Sequence, residues 1–188
     1  EFATWRSGKP LPVVRQSMAV IPYPLQKSES AFAVGDNILF VAGYVLGEPH
    51  QVQAFDADSF ELLYTFGQRD RNSSPLAMCT DAYARELYIA VAPRQQARPC
   101  DQYTIIDVFD YRGNFLRTLG KFRHTTSLAT GHGRLFVCQP AGGVGEERLC
   151  GRVQVVTPAG LPLQTLTISD QGSPCHVCVT EHHVHVLC

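Results

Sequence analysis

The chain has 188 residues, 45% of them hydrophobic and 18% charged, which is enough apolar material for a sizeable core and too little charge for a disordered polyelectrolyte. Its 16 Lys and Arg balance 17 Asp and Glu to a formal charge of −1, which excludes a polyanion binder held by bulk charge alone. No apolar run approaches the ~18 residues of a membrane-spanning helix and no charged-then-apolar leader is present; the opening Glu1-Phe2 reads as a cloning remnant on a piece of a longer protein.

In chain order, Thr4–Val14 has the layout of Val156–Leu166, with Gly8 matching Gly160 and Pro10-Leu11 matching Pro162-Leu163. It is therefore expected to supply an outer strand pair. Gln16–Ser30, with Pro22 and Pro24, reads as an extended connector without ladder hydrogen bonds. Ala31–Val34 and Leu39–Ala42 form a predicted hairpin through Gly35-Asp36-Asn37, and Gln51–Asp56 with Phe60–Gly67 form a second.

The next units repeat the arrangement. Leu76–Cys79 pairs with Leu87–Ala90, then Ile105–Asp110 with Phe115–Gly120. Ser127–Thr130 pairs with Leu135–Cys138, then Arg152–Val156 with Pro162–Leu166. His176–Val179 pairs with Val184–Leu187, where the chain stops. The second strands begin at Leu39, Leu87, Leu135 and Val184, 48, 48 and 49 residues apart. Four antiparallel strands in a repeat of that length match one propeller blade; an ordinary β-sandwich has no reason to keep a fixed interval.

The predicted fold is all-β, a single four-bladed β-propeller over residues 1–188. Blade 1 spans 30–67, blade 2 spans 74–120 and blade 3 spans 125–168. Blade 4 is built from 174–188 closed by 2–16, so that both termini cover open strand edges. The alternative is a piece of a larger propeller.

Val52–Asp56 followed by Leu63–Gly67, and Val108–Asp110 followed by Gly113–Gly120, resemble the strand and turn pattern of NHL repeats, with Val153–Val156 and Gly160 a weaker instance. The family pattern commonly has an Asp after the second strand, where this chain carries Gly43, Val91 and Gln139. The resemblance implies a non-catalytic platform, within a larger multidomain protein, that binds a protein or peptide. RNA binding is the second reading, and a small propeller enzyme with a central-channel site the third.

In a propeller, the loops joining second to third strands and the loops between blades meet on one face, where recognition usually resides. Here they bring together Arg69, Arg71, Arg94, Arg98, Lys121, Arg123, His124 and Arg148, with Asp70 and Asp101 as the nearby acids. The chain has thirteen Arg and three Lys, and Arg forks suit carboxylate or phosphate, so an acidic peptide is the expected partner. RNA ranks lower because the loops hold few aromatics for base stacking.

No nucleophile elbow, phosphate loop or zinc-protease motif is present, so no catalytic residue and no cofactor are assigned. A central-channel site would draw on Thr80, Thr130 and His176. Asp56 and Asp110 recur at equivalent points and read as turn anchors. Cys175, Cys178, His182, His183, His185 and Cys188 carry zinc-like spacing. On one hairpin, however, Cys178 faces His185 and Cys175 faces Cys188 on opposite sides, so no metal site is assigned.

Seven cysteines, several in apolar strands, point to reduced thiols and a cytoplasmic setting. Cys100 with Cys150 and Cys175 with Cys188 are the best pairs if disulfides form. Phe55, Phe66, Phe109 and Phe115 are expected to fill the space between blades, and Trp5 to pack at the closure.

Overall fold

A computed structural model describes residues 31–43, 51–67, 73–93, 103–141, 151–168, 174 and 176–187. Strands β1 (Ala31–Gly35), β2 (Ile38–Gly43), β3 (Gln51–Asp56) and β4 (Leu62–Phe66) form a first antiparallel sheet in chain order. Strands β5 (Ser73–Asp81), β6 (Glu86–Pro93), β7 (Tyr103–Asp110) and β8 (Phe115–Arg123) form a second. Strands β9 (Ser127–Gly131), β10 (Arg134–Gln139), β11 (Gly151–Val156) and β12 (Pro162–Ile168) form a third. Strands β13 (His176–Val179) and β14 (Val184–Leu187) pair as a terminal hairpin.

The tight turns follow from residues that tolerate a left-handed backbone. Asp36 and Asn37 adopt φ of 48° and 62°, and His132 and Gly133 adopt 54° and 66°; this two-residue turn matches the twist of its strands. The longer turns hang on aspartates, as the sequence pattern indicates. Asp56 Oδ1 accepts the backbone N–H groups of Asp58 and Ser59, Asp81 those of Tyr83 and Ala84, and Asp110 those of Arg112 and Asn114.

The core lies between sheets, not within one layer. On β6, Leu87, Ile89 and Val91 pack toward the first sheet with Phe40, Ala42, Val52 and Phe109. Their neighbours Tyr88 and Ala90 pack toward the third with Leu119, Leu135 and Val137. On β10, Phe136 and Cys138 turn the other way, toward Val177 of the hairpin. Two-sided burial explains why Leu87–Ala92 of β6 and Leu135–Cys138 of β10 are continuous apolar runs instead of alternating ones.

Among the described residues the first sheet is covered on its Phe40 face: Phe40 is fully buried, whereas Phe32 and Val34 on β1 are 74% and 57% exposed. Aromatic rings cross the interface as expected, with Phe66 and Phe109 centroids 5.4 Å apart. Phe55 is buried, while Phe115 packs on Phe109 and stays partly exposed.

The first strands stack in succession, β1 on β5, β5 on β9 and β9 on β13. Threonine hydroxyls tie them in register. Thr80 Oγ1 donates to the Val34 carbonyl at 2.7 Å, and Thr130 Oγ1 to the Thr80 carbonyl at 2.6 Å. A β-carbon on Gly35 would overlap the Tyr111 ring, and one on Gly131 would overlap Val179, so these sites need glycine for the close approach.

The sheets are longer than the sequence suggests. The pattern places Lys121 and Arg123 in an inter-blade loop, but β8 continues through both, with Ile105 opposite Lys121 and Tyr103 opposite Arg123. Gly120 is not a strand end: at φ 55° it sits where the register shifts, as at a bulge. Phe122 beyond it is buried against the third sheet and holds the strand on. The segments 2–16, 44–50, 68–72, 94–102, 142–150 and 169–173, including the expected closing strands, lie outside the described residues.

Candidate functional site

The register of the first strands gives every sheet the same polarity. One end, the turn end, carries the hairpin turns; the other, the loop end, is where connections 44–50, 94–102 and 142–150 leave.

At the turn end, Arg85 and Arg117 are matched by acids, whereas Arg112 and Arg134 have no ion pair among the described residues. Arg85 Nε lies 2.8 Å from Asp36 Oδ2 and its guanidinium 5.8 Å from the Tyr111 ring centre. Arg117 grips Glu86 with both terminal nitrogens at 2.7 Å, and also donates to the Pro158 carbonyl. Tyr88 Oη donates to the same carboxylate at 2.6 Å. The Arg117 fork holds the Glu86 carboxyl below its ordinary range, and the Tyr88 bond adds to this against the opposing effect of burial.

At the loop end the cations lack such partners. Lys121 Nζ sits 4.5 Å from the Tyr103 ring centre, a cation–π contact. Arg123 is held through its backbone: the hydroxyls of Thr104 and Thr125 lie 2.6 Å apart and both reach its carbonyl, at 3.3 and 3.1 Å. Arg152, on β11, donates from Nε to Oε1 of Gln139, its ladder partner on β10. Burial lowers the basicity of Arg152, and the positive charge of Arg123 lowers it further. Among the described residues, no carboxylate is paired with Lys121, Arg123 or Arg152.

Of the expected binding residues, Lys121, Arg123 and His124 fall at this end. Arg69, Arg71, Arg94, Arg98 and Arg148 lie outside the described residues. Sequence reasoning missed Arg152, Gln139 and Tyr103 because the pattern starts β7 at Ile105 and ends β8 at Gly120 and β10 at Cys138, short of the ladder pairs Tyr103–Arg123 and Gln139–Arg152. The signal that could have found Arg152 is its place as the first cation after the 142–150 connection.

The central-channel grouping does not assemble. The four first strands converge on a cavity of about 240 Å³ lined by Phe32, Met78, Leu128 and His176 among others. His176 stands at the loop end of β13, whereas Thr80 and Thr130 stand at the turn end, where their hydroxyls donate to backbone carbonyls. A second cavity of about 330 Å³ lies between the third sheet and the hairpin, with His132, Arg134, His182 and His183 around Phe136, Val155 and Leu166. Cys178 does face His185 across the hairpin. Among the described residues no group of three or more His, Cys, Asp or Glu is placed to hold a metal ion; Cys175 and Cys188, like Cys100 and Cys150, lie outside them.

Fold and site together define an all-β chain of stacked antiparallel sheets with a cationic loop end. No protein-family model matches it, and no curated protein matches it. Among solved structures it is similar to the crystal structure of Chaetomium thermophilum Raptor, at 14% identity and a TM-score of 0.41. The match covers 84% of this chain and 17% of the length of that one, a likeness too slight to bear on partners or chemistry.

Proposed function

We propose that the chain is a non-catalytic interaction module of a larger cytoplasmic protein, a four-bladed propeller of NHL-like blades with residues 2–16 completing the last. It holds an acidic protein or peptide segment on its loop end. The observation that carries this reading is the placing of Lys121, Arg123 and Arg152 together at the loop end, none of them paired with a carboxylate among the described residues. A rigid scaffold that presents unmatched Arg forks beside long loops favours carboxylate-bearing partners.

The test is a binding titration with polyglutamate and, in parallel, with single-stranded polyuridylate RNA. Polyglutamate is expected to bind in a salt-dependent manner. Its affinity should fall at least about tenfold when Lys121 and Arg123 are both changed to Glu, because a favourable charge pairing becomes a repulsion. Preference for RNA over polyglutamate would replace the protein partner with a nucleic acid; binding unchanged by the double substitution would move the site elsewhere.

A further inference from the structure

We propose that Arg123, Arg152 and Gln139 form an oxyanion subsite, which takes the carboxylate or phosphate monoester of an acidic peptide. The proposal rests on the reading of the loop end as a binding platform and gives that platform an anchor point.

Three observations meet at this place. Gln139 is fully buried, and its Nε2 has no hydrogen-bond partner. A buried amide donor left unpaired is costly, and native structures rarely keep one without a use. Its other amide atom accepts Arg152 Nε, which fixes the plane of the guanidinium and leaves the terminal nitrogens of Arg152 to point elsewhere. No described residue accepts a hydrogen bond from them. Arg123, anchored by the Thr104 and Thr125 hydroxyls on its carbonyl, lies near enough for its charge to act on Arg152.

The positive charge of Arg123 opposes that of Arg152; an oxyanion taken up between them would turn that repulsion into two attractions and offer the idle amide donor an acceptor. Arg117 shows the alternative within the same chain. There the fork is closed internally by Glu86, and nothing is left to offer.

The experiment uses inorganic phosphate and acetate as separate probes of the full chain at neutral pH and low salt. The Nε–Hε signals of Arg152 and Arg117 are followed by NMR. Phosphate is expected to shift Arg152 saturably, with half-saturation on the order of 1 mM, and to leave Arg117 unmoved. The stronger response of the two anions decides whether phosphate or carboxylate is the natural group. Arg123→Gln should weaken phosphate at least about tenfold, yet melt no lower than the parent, because it removes a repulsion rather than a support. Phosphate should raise the melting temperature of the parent and not of Arg123→Gln.

The proposal is overturned if neither anion shifts Arg152, if Arg117 shifts equally, or if Arg123→Gln lowers stability and keeps phosphate affinity. Should polyglutamate still bind when both small anions fail, the subsite falls and the platform stands. Should the anions bind and polyglutamate not, the subsite stands and the acidic-peptide reading falls.

Discussion

Glu86 shows how one carboxylate organises the turn end: it receives both arms of Arg117 and the Tyr88 hydroxyl while largely shielded from water. Glu86→Gln removes the charge and keeps the shape, and is expected to cost about 1–2 kcal/mol at neutral pH, allowing for the partial exposure of Arg117. Because the folded-state pKa of Glu86 is depressed, that stability is fully present above the unfolded value of about 4.3. It is lost as pH falls through the folded value. Urea midpoints of parent and variant should therefore differ at neutral pH and converge once the pH has fallen through the folded value; a gap that does not shrink as pH falls would mean the charge is not the cause. At this scale the sequence was informative about aspartates, since Asp56 and Asp110 anchor turns through bonds to residues two to four positions on. It was silent about Arg152 and Gln139, because the pattern ends the strand at Cys138 and the pair forms one step further along the β10–β11 ladder.

Elements carry the distinction between covered and uncovered faces. Phe40 on β2 and Phe32 on β1 belong to neighbouring strands of one sheet, yet one is enclosed by the second sheet and the other lines the open cavity between the first strands. Phe40→Ala is expected to destabilise by about 3–5 kcal/mol through lost burial and a residual cavity. Phe32→Ala should stay within about 0.5 kcal/mol unless something else covers that face. Calorimetry of the two variants checks the pair, and similar losses would show that the first sheet is buried on both sides. The tie between sheets is smaller: Thr130→Val keeps the shape and removes one hydroxyl bond to the Thr80 carbonyl, a loss of about 1 kcal/mol readable in the same assay. Most strands and all the tight turns were legible as alternation broken by Gly, Asp and Asn. The reach of β8 was not, because Gly120 serves a bulge as readily as an end and only the burial of Phe122 decides between them.

For the molecule as a whole, repetition in sequence becomes repetition in space: the first strands pack in succession, β5 on β1, β9 on β5 and β13 on β9. That arrangement was visible in the interval between equivalent strands. The closing strand pair at 2–16 remains a proposal, and it has a direct consequence. Strand β14 pairs with β13 on one side, and Leu187 is 61% exposed. If residues 2–16 complete that sheet, removing them should abolish hydrogen-exchange protection at the β14 amides not bonded to β13, and leave the amides of β6 and β10 protected. Equal protection with and without the segment would rule the closure out.

The outward side of the hairpin also holds an exposed sulfur, Cys178. Cys79, by contrast, packs against the interior between the second and third sheets, where burial, and to a smaller degree Asp81, pushes its thiol well up and out of reactivity. Alkylation followed by peptide mapping therefore separates an open thiol from a closed one among the described residues. The speed of modification at Cys178 becomes a gauge of whether any layer, from this chain or another, lies over that side.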